Sequence, residues 1–378
     1  MRSRPSVSRR SVLRSGAGLA ALSSAPTDGP SFAIPRSVSV YTQNLGLGTR
    51  LSRLVDVRTG TVDPENVYRR FLDVQRSGVP ERMAAVAAEI AAEGPALVGL
   101  QEAALVRRGP ADGNDDSNAE TVAFDFLAEL TDALAAADGP DYRVASVVTN
   151  ADEEFVADPC ECGDRFDLRL TDRDVVLVHE DVTVESTETA NYALNAQLTL
   201  RDGRTIVATR GYALVEARLD GSPLTFVTTH LSSTSSAIRR AQAAELTERV
   251  DSLDRPVVVT GDANTGPSDG EESAYGLLTG TLRDAWRDGD GNGATCCQFS
   301  NLTNEESRLD RRIDVVLHRG AVEPRGSRRV FHDPESQVTT TVDGEPVQRW
   351  VSDHAGVVAD LVVSGEVDLF TALLGLLD

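Results

Sequence analysis

The sequence predicts an α/β protein in which two packed β-sheets carry helices on their outer faces. Three observations lead there. Many strand-like segments, among them residues 96–100 and 257–260, are continuous apolar runs rather than alternating ones, so both of their faces are covered. Roughly ten or more such segments are present, more than one open sheet accommodates comfortably. The 378 residues contain no internal repeat and no central linker, so a length that would allow two ordinary domains is read as one.

In chain order, residues 38–42 open as a strand. Met83, Val86 and Ile90 recur at helical spacing and lead into the buried strand 96–100. A second amphipathic helix is marked by Phe126 or Leu127 with Leu130 and Leu134, and Gly139-Pro140 ends it. Strands follow at 142–148, 175–179, 204–218 and 224–229. Ala243, Leu246 and Val250 stripe a third helix, and strands at 257–260, 313–318 and 356–363 complete the set. Residues 46–80 and 151–172 read as long loops, and loops of that length in a compact domain usually cover or build a site.

The net charge is −22, from 37 basic against 59 acidic residues, and all 37 basic residues are arginine. A lysine-free acidic surface suits concentrated salt, where carboxylates hold water and counterions and self-repulsion is screened. Codon bias against lysine is the alternative. Either origin argues against a broad basic face for duplex DNA, whose counterion-release binding would in any case fall steeply with salt. A hydrophobic content of 40% excludes wholesale disorder.

Residues 1–34 read as a targeting segment, 35–365 as the folded domain and 366–378 as a tail. Arg9-Arg10 followed by Ser11, Val12 and Leu13 forms a twin-arginine pattern. The mild apolar run 16–22 and the small residues Ser23, Ser24 and Ala25 then supply an apolar region and a cleavage zone. The expectation is secretion by the twin-arginine route, against the alternative of a disordered basic tail. The run is too short to anchor in a bilayer. The apolar segment 369–377 is expected to pack as a terminal helix or strand. Cys160 and Cys162 share one loop, and Cys296 and Cys297 are adjacent in another. In an oxidising compartment a disulfide between the two loops is expected, since closure within either pair would be strained. A four-thiolate zinc site is the competitor, but its usual C-x₂₋₄-C spacing is missing.

Five places share one pattern, a polar residue at the end of a buried strand. They are Asn44, Glu102, His230, Asp262 with Asn264, and Asp353-His354 just before the last strand. Each alone is ordinarily a turn former or cap. Together they supply what metal-assisted phosphoester hydrolysis requires. Glu102 is a suitable oxygen ligand for Mg²⁺, with Mn²⁺ as the alternative. The amides of Asn44 and Asn264 can orient metal-bound water or donate to phosphate oxygens. Asp262 can accept a proton from the attacking water. His230 and His354 can stabilise the pentacovalent state and protonate the leaving oxygen. A histidine in that role needs a carboxylate to orient it, and Asp314 is the candidate. His179, His318 and His332 are read as structural.

Thr42-Gln43-Asn44-Leu45-Gly46, Gly99-Leu100-Gln101-Glu102, Thr229-His230-Leu231, Gly261-Asp262-Ala263-Asn264, Arg312-Ile313-Asp314 and Ser352-Asp353-His354, in this order, resemble the motifs of the endonuclease/exonuclease/phosphatase (DNase I-like) superfamily. The helix around Arg239, Gln242 and Leu246 is similar to one in that superfamily. The resemblance spans about residues 38–363. It implies a four-layer α/β/β/α sandwich of two mixed sheets with the site at one rim. It further implies Glu102 as principal metal ligand with Asn44 and Asp353 beside the metal, Asp262 as water-activating carboxylate, Asn264 as phosphate binder, and His230 and His354 as the catalytic pair supported by Asp314 and Asp353. Two positions depart from the pattern. Ala263 replaces an aromatic, and Leu45-Gly46 stands where repair-type members carry a second acid.

The expected activity is phosphodiester hydrolysis on a phosphate-ester substrate, with extracellular DNA as one candidate, by a monomer without a membrane anchor. Arg50, Arg53, Arg58, Arg69 and Arg70 could line a nucleic-acid groove, or be surface charges paired with neighbouring acids. The alternatives are a phosphatase, a sphingomyelinase-like enzyme, which would need an apolar hairpin absent from the sequence, and a non-catalytic module that keeps the fold.

Overall fold

The computed structural model describes residues 32–112, 117–159, 164–288 and 291–367. The twin-arginine segment, Cys160, Cys162 and the apolar run 369–377 lie outside them. Fourteen strands build two large sheets. These are β1 (Phe32–Asn44), β2 (Leu97–Gln101), β3 (Leu105–Pro110), β4 (Thr121–Asp125), β5 (Tyr142–Ala157), β6 (Phe166–His179), β7 (Val182–Asn191), β8 (Gly211–Leu219), β9 (Ser222–His230), β10 (Val257–Asp262), β11 (Arg283–Asp284), β12 (Asp314–Arg319), β13 (Val322–Val330) and β14 (Gly356–Val367). The first sheet runs β13-β14-β1-β2-β6-β3-β4, with β5 paired to β6, and the second runs β11-β12-β10-β9-β8-β7. Both are mixed. The β1/β2 and β9/β10 ladders are parallel and the others antiparallel.

The continuous apolar strands divide their side chains between two layers, as the period of two requires. Val38, Val40, Val176, Phe226, Val258 and Val316 meet between the sheets. The alternate residues face helices. Tyr41, Val98 and Val175 pack on α2 (Val79–Glu93) and α3 (Phe126–Ala136), through Met83, Val86, Ile90, Phe126 and Leu130. Val227, Val257 and Val315 pack on α4 (Ser236–Asp251) and α5 (Ala274–Thr281), through Ala243, Leu246, Val250 and Leu278. The result is the expected α/β/β/α layering. No described helix is long and apolar enough to cross a membrane.

Three expectations need correction. Residues 46–80 are not a loop throughout, because α1 (Pro64–Arg76) occupies their second half. Its signals were present. Asp63 caps the Glu65 amide, Pro64 sits at the first helical position, and Val67, Phe71 and Val74 form the buried stripe. Residues 151–172 largely extend β5 and β6 into a long hairpin, paired as far as Ala157 and Phe166. Residues 204–218 form two strands rather than one, since 205–208 pairs with 196–199 in a separate hairpin before β8 begins.

Candidate active site

The ladders bring the strand-end residues to one rim. In the second sheet His230 stands opposite Asp262, and Asp262 opposite Asp314, so register alone sets three ionisable groups side by side. In the first sheet Asn44 stands opposite Gln101, the residue before Glu102, and Asp353 and His354 lead into β14, which pairs with β1. A polar clasp joins the sheets just below the rim, where Gln101 Nε2 donates to Thr228 Oγ1 at 2.8 Å.

Asp262 is the hub. Its Oδ2 accepts from Asn44 Nδ2 at 3.2 Å and lies 3.4 Å from His230 Nε2 and 3.9 Å from His354 Nε2. Its Oδ1 accepts from the Asn264 amide at 2.8 Å. Asn44 also donates to Glu102 Oε1 at 3.3 Å, and the Leu47 amide donates to Glu102 Oε2 at 3.1 Å. Asp314 Oδ2 is 2.9 Å from His354 Nδ1, which makes it the orienting carboxylate of that ring. Asn264 Nδ2 is held by the Leu231 carbonyl at 2.9 Å. Glu102 and Asn264 have φ of 53° and 51°, the left-handed region that non-glycine residues avoid unless their surroundings impose it. That two site residues share this conformation was not readable from sequence.

The electrostatics differentiate the groups. Burial, with Asp353 and Asp172 nearby, pushes the Glu102 carboxyl up to about 7. Burial raises Asp262 to about 6, against the opposing effect of His354. Burial and the Arg210 guanidinium drive His230 well below its ordinary value. His354 feels the same burial, but Asp314 and Asp262 outweigh it and hold its imidazolium form. The half-buried acids Glu102 and Asp353, with the Asn44 amide, form an oxygen donor set whose crowded negative charge a hard divalent cation would offset. The donor set therefore fits the expected metal. Asp262, Asp314 and His354 also lie close enough to hold an ion, but a histidine between two carboxylates is already ion-paired there.

Sequence reasoning missed the supports. Arg82, fully buried on α2, donates to the carbonyls of Leu45, Gly46 and Val351, the last at 2.7 Å. It thereby pins the segment after Asn44 against the one before Asp353. Burial lowers it to about 10, although Asp353 and Glu102 oppose that. Ser352 Oγ donates to the Asn44 carbonyl at 2.7 Å and accepts from the His354 amide at 3.1 Å. Arg210 pairs with Asp172 behind Glu102. An arginine inside an apolar helical stripe was the available signal for Arg82. Gln242, from the helix of the resemblance, accepts from the Ser232 amide at 2.8 Å and steadies the chain after His230.

The departures are also explained. A Cβ at Gly46 (φ 62°) would lie 2.5 Å from Asp353 Oδ1, so no acid fits there. Ala263 is buried, with its amide on the Ile313 carbonyl. His179 and His332 stand beside Asp181 and Asp333, and His318 sits within β12 opposite Val258. Cys296 is paired with Cys297, and Cys160 and Cys162, the other half of the expected inter-loop disulfide, lie outside the described residues. The Cys296 amide and carbonyl are both tied to the Arg311 main chain.

Two sheets face to face, helices outside, and a carboxylate–histidine rim define the class of DNase I-like α/β/β/α sandwiches. Residues 66–354 match the Endonuclease/Exonuclease/phosphatase family, and the chain belongs to it. Among solved structures it is similar to an endonuclease/exonuclease/phosphatase family protein of Bacteroides thetaiotaomicron (16% identity, TM-score 0.57, covering 87% of this chain and 99% of that one). It is also similar to a mannosyl-6-phosphatase of the same species (16%, 0.55, 86% and 99%) and to a family protein of Bacteroides vulgatus (17%, 0.51, 87% and 99%). At these identities the likeness establishes the fold. No curated protein matches the chain.

Proposed function

We propose that the protein is a metal-dependent phosphodiesterase of nuclease type, exported by the twin-arginine route. The observation that carries the hydrolase reading is the placement of Asp262 within 3.9 Å of both His230 and His354 while it shares Asn44 with Glu102. Glu102, Asn44 and Asp353 would hold Mg²⁺ or Mn²⁺, which supplies charge neutralisation at the phosphate. Asp262 accepts the proton of the attacking water, and the burial that raises its affinity for protons suits it to that task. Asn264 donates to a phosphate oxygen. His354, kept charged by Asp314, stabilises the pentacovalent state and gives its proton to the leaving oxygen. His230, neutral in its buried setting, serves as a hydrogen-bond partner.

A neighbouring cavity favours a diester within a longer polyanion. It measures about 420 Å³ and is lined by Arg50, Arg53, Arg70, Phe299 and Asn301. One wall continues from Leu47, which binds Glu102, and the other from Gln298, whose amide donates to the Asp353 carbonyl. Of the five arginines in this stretch, Arg58, Arg69 and Arg70 pair with Asp56, Glu65 and Asp73. Arg50 and Arg53 have no carboxylate partner among the described residues. Unpaired guanidinium groups on a chain of net charge −22, beside a half-exposed phenylalanine, suit a flanking phosphate and a stacked base.

The test compares the full chain, in multimolar salt with Mg²⁺, on plasmid DNA, a chromogenic phosphodiester, a phosphomonoester and sphingomyelin, with EDTA as control. Asp262→Ala and His354→Ala should each lose a factor of about 10² or more in turnover. Full activity in either variant refutes the assigned roles, and preference for the monoester replaces the diesterase reading with a phosphatase one.

A further inference from the structure

The Cys296–Cys297 pair has no part in the hydrolytic chemistry, yet it abuts it. Cys296 bridges to His354 as well as to Arg311, and one ring nitrogen of His354 lies within 4.8 Å of both sulfurs. Arg311 Nη2 lies 3.4 Å from Cys296 Sγ and 3.8 Å from Cys297 Sγ. Cys296 is buried and Cys297 half-buried, so reagents reach the pair from one side. Asp314 holds His354 Nδ1 at 2.9 Å, whereas Nε2 has only the longer 3.9 Å pairing with Asp262, which a bound cation would replace.

We propose that Cys296 and Cys297, once reduced, form with His354 a site for a soft, thiophilic divalent cation such as Zn²⁺ or Cd²⁺, and that filling it switches the hydrolase off. Two thiolates and one imidazole match the donor preference of such ions, with a fourth tetrahedral position left to water. Tetrahedral bonds of about 2.0–2.3 Å place ligand atoms roughly 3.5 Å apart, so on reduction the two sulfurs must part while the imidazole, now within 4.8 Å, closes on them. The Asp314–His354 contact is the arrangement that orients a metal-bound imidazole. The Arg311 guanidinium stabilises thiolates beside it. Glu102, Asn44 and Asp353 offer only oxygen, so the two sites select different ions.

The chemistry balances. A thiolate of an external dithiol attacks one sulfur, the Cys296–Cys297 bond breaks and a mixed disulfide forms. The second thiol of the reductant then closes its own disulfide, and two electrons and two protons leave two cysteine thiols. Cation binding expels both thiol protons and the proton on His354 Nε2. With Nε2 held by the ion, His354 can no longer protonate the leaving oxygen.

The test titrates the oxidised and the dithiol-reduced full chain with Co²⁺ in excess Mg²⁺, following absorbance, bound cobalt and turnover. The reduced protein should bind one Co²⁺ with a thiolate-to-cobalt charge-transfer band and lose turnover by about 10²-fold, as loss of an acid–base group does. The oxidised protein should show neither change. Cys296→Ser/Cys297→Ser, or Cys297→Ser alone should the double variant misfold, should keep Mg²⁺-dependent turnover and lose the band. Cys160→Ser/Cys162→Ser should keep the band. The proposal is overturned by absence of the band from the reduced chain, by its survival in the Cys296→Ser/Cys297→Ser variant, or by equal inhibition of that variant. Thiol counts showing that excess dithiol leaves the pair intact overturn it too. Bound cobalt and the band do not require turnover, so they test the site even if the substrate assignment fails.

Discussion

The two halves of the rim are built differently. On the second sheet His230, Asp262 and Asp314 belong to strands, and ladder register sets them in a row. On the first sheet Glu102 and Asp353 lie just beyond strands, in segments held by side-chain and main-chain contacts that no ladder enforces. The second-sheet half derives its geometry from the sheet itself. The first-sheet half depends on Arg82, Gly46 and Ser352, a handful of contacts between segments roughly 300 residues apart in sequence. Disturbing those contacts should separate stability and metal binding from the proton chemistry of the second sheet.

The largest effect is expected at Arg82. Replacement by Met keeps the apolar stem but leaves the carbonyls of Leu45, Gly46 and Val351 buried without a donor. Each such group costs about 1–3 kcal/mol, so the variant should lose on the order of 3 kcal/mol or more, less whatever is recovered by not burying a charge. Denaturant midpoints at fixed salt measure this. An unchanged midpoint would show that the first-sheet half is held in another way.

Next comes Asp314→Asn, which breaks the second-sheet half chemically without disturbing its ladder. An amide cannot hold His354 as an imidazolium, and groups that orient catalytic or metal-bound imidazoles typically contribute about 10–100-fold. Turnover should fall by that much while the denaturant midpoint stays near wild type. A variant that unfolds but keeps its turnover when folded would assign Asp314 to structure instead.

This contrast also explains what could be read in advance. Asp262 and His230 end continuous valine-rich or threonine-rich runs, so both their strand and their rim were legible. The α/β/β/α layering followed from the same runs, because a strand apolar on both faces needs a layer on each. What was hidden is non-local. Arg82 lies 269 residues from Val351, whose carbonyl it binds, and nothing near either residue announces the contact. The left-handed φ of Glu102 and Asn264 depends on the finished rim. Helix α1 was missed for a different reason. Its stripe of Val67, Phe71 and Val74 is short and embedded in a charged stretch, and its cap at Asp63-Pro64 was the better signal.

A smaller and more selective break is Gly46→Ala. A methyl group at φ 62° costs about 1–2 kcal/mol in backbone conformation, and here it would also meet Asp353 Oδ1 at 2.5 Å and Ser352 Oγ at 2.7 Å. Asp353 must move. The Mg²⁺ concentration for half-maximal activity should rise well before saturating turnover falls, since Asp262 and His230 stay on their strands while Asp314 and the bridge to Cys296 hold His354. A fall in saturating turnover with unchanged Mg²⁺ dependence would remove Asp353 from the metal set.

The smallest effect sharpens the comparison by leaving both halves intact. Arg50→Ala and Arg53→Ala remove charges that have no carboxylate partner among the described residues and line the cavity beside Phe299. Contacts of this kind between exposed charges contribute about 0.2–1 kcal/mol in water, and high salt screens them further. The KM for a DNA strand should rise severalfold at most, more at low salt than at high, with kcat unchanged. For a small chromogenic diester, which is too short to reach the cavity, neither constant should move. Equal effects on the polymer and the small diester would place these guanidinium groups at the scissile phosphate rather than at a flanking one.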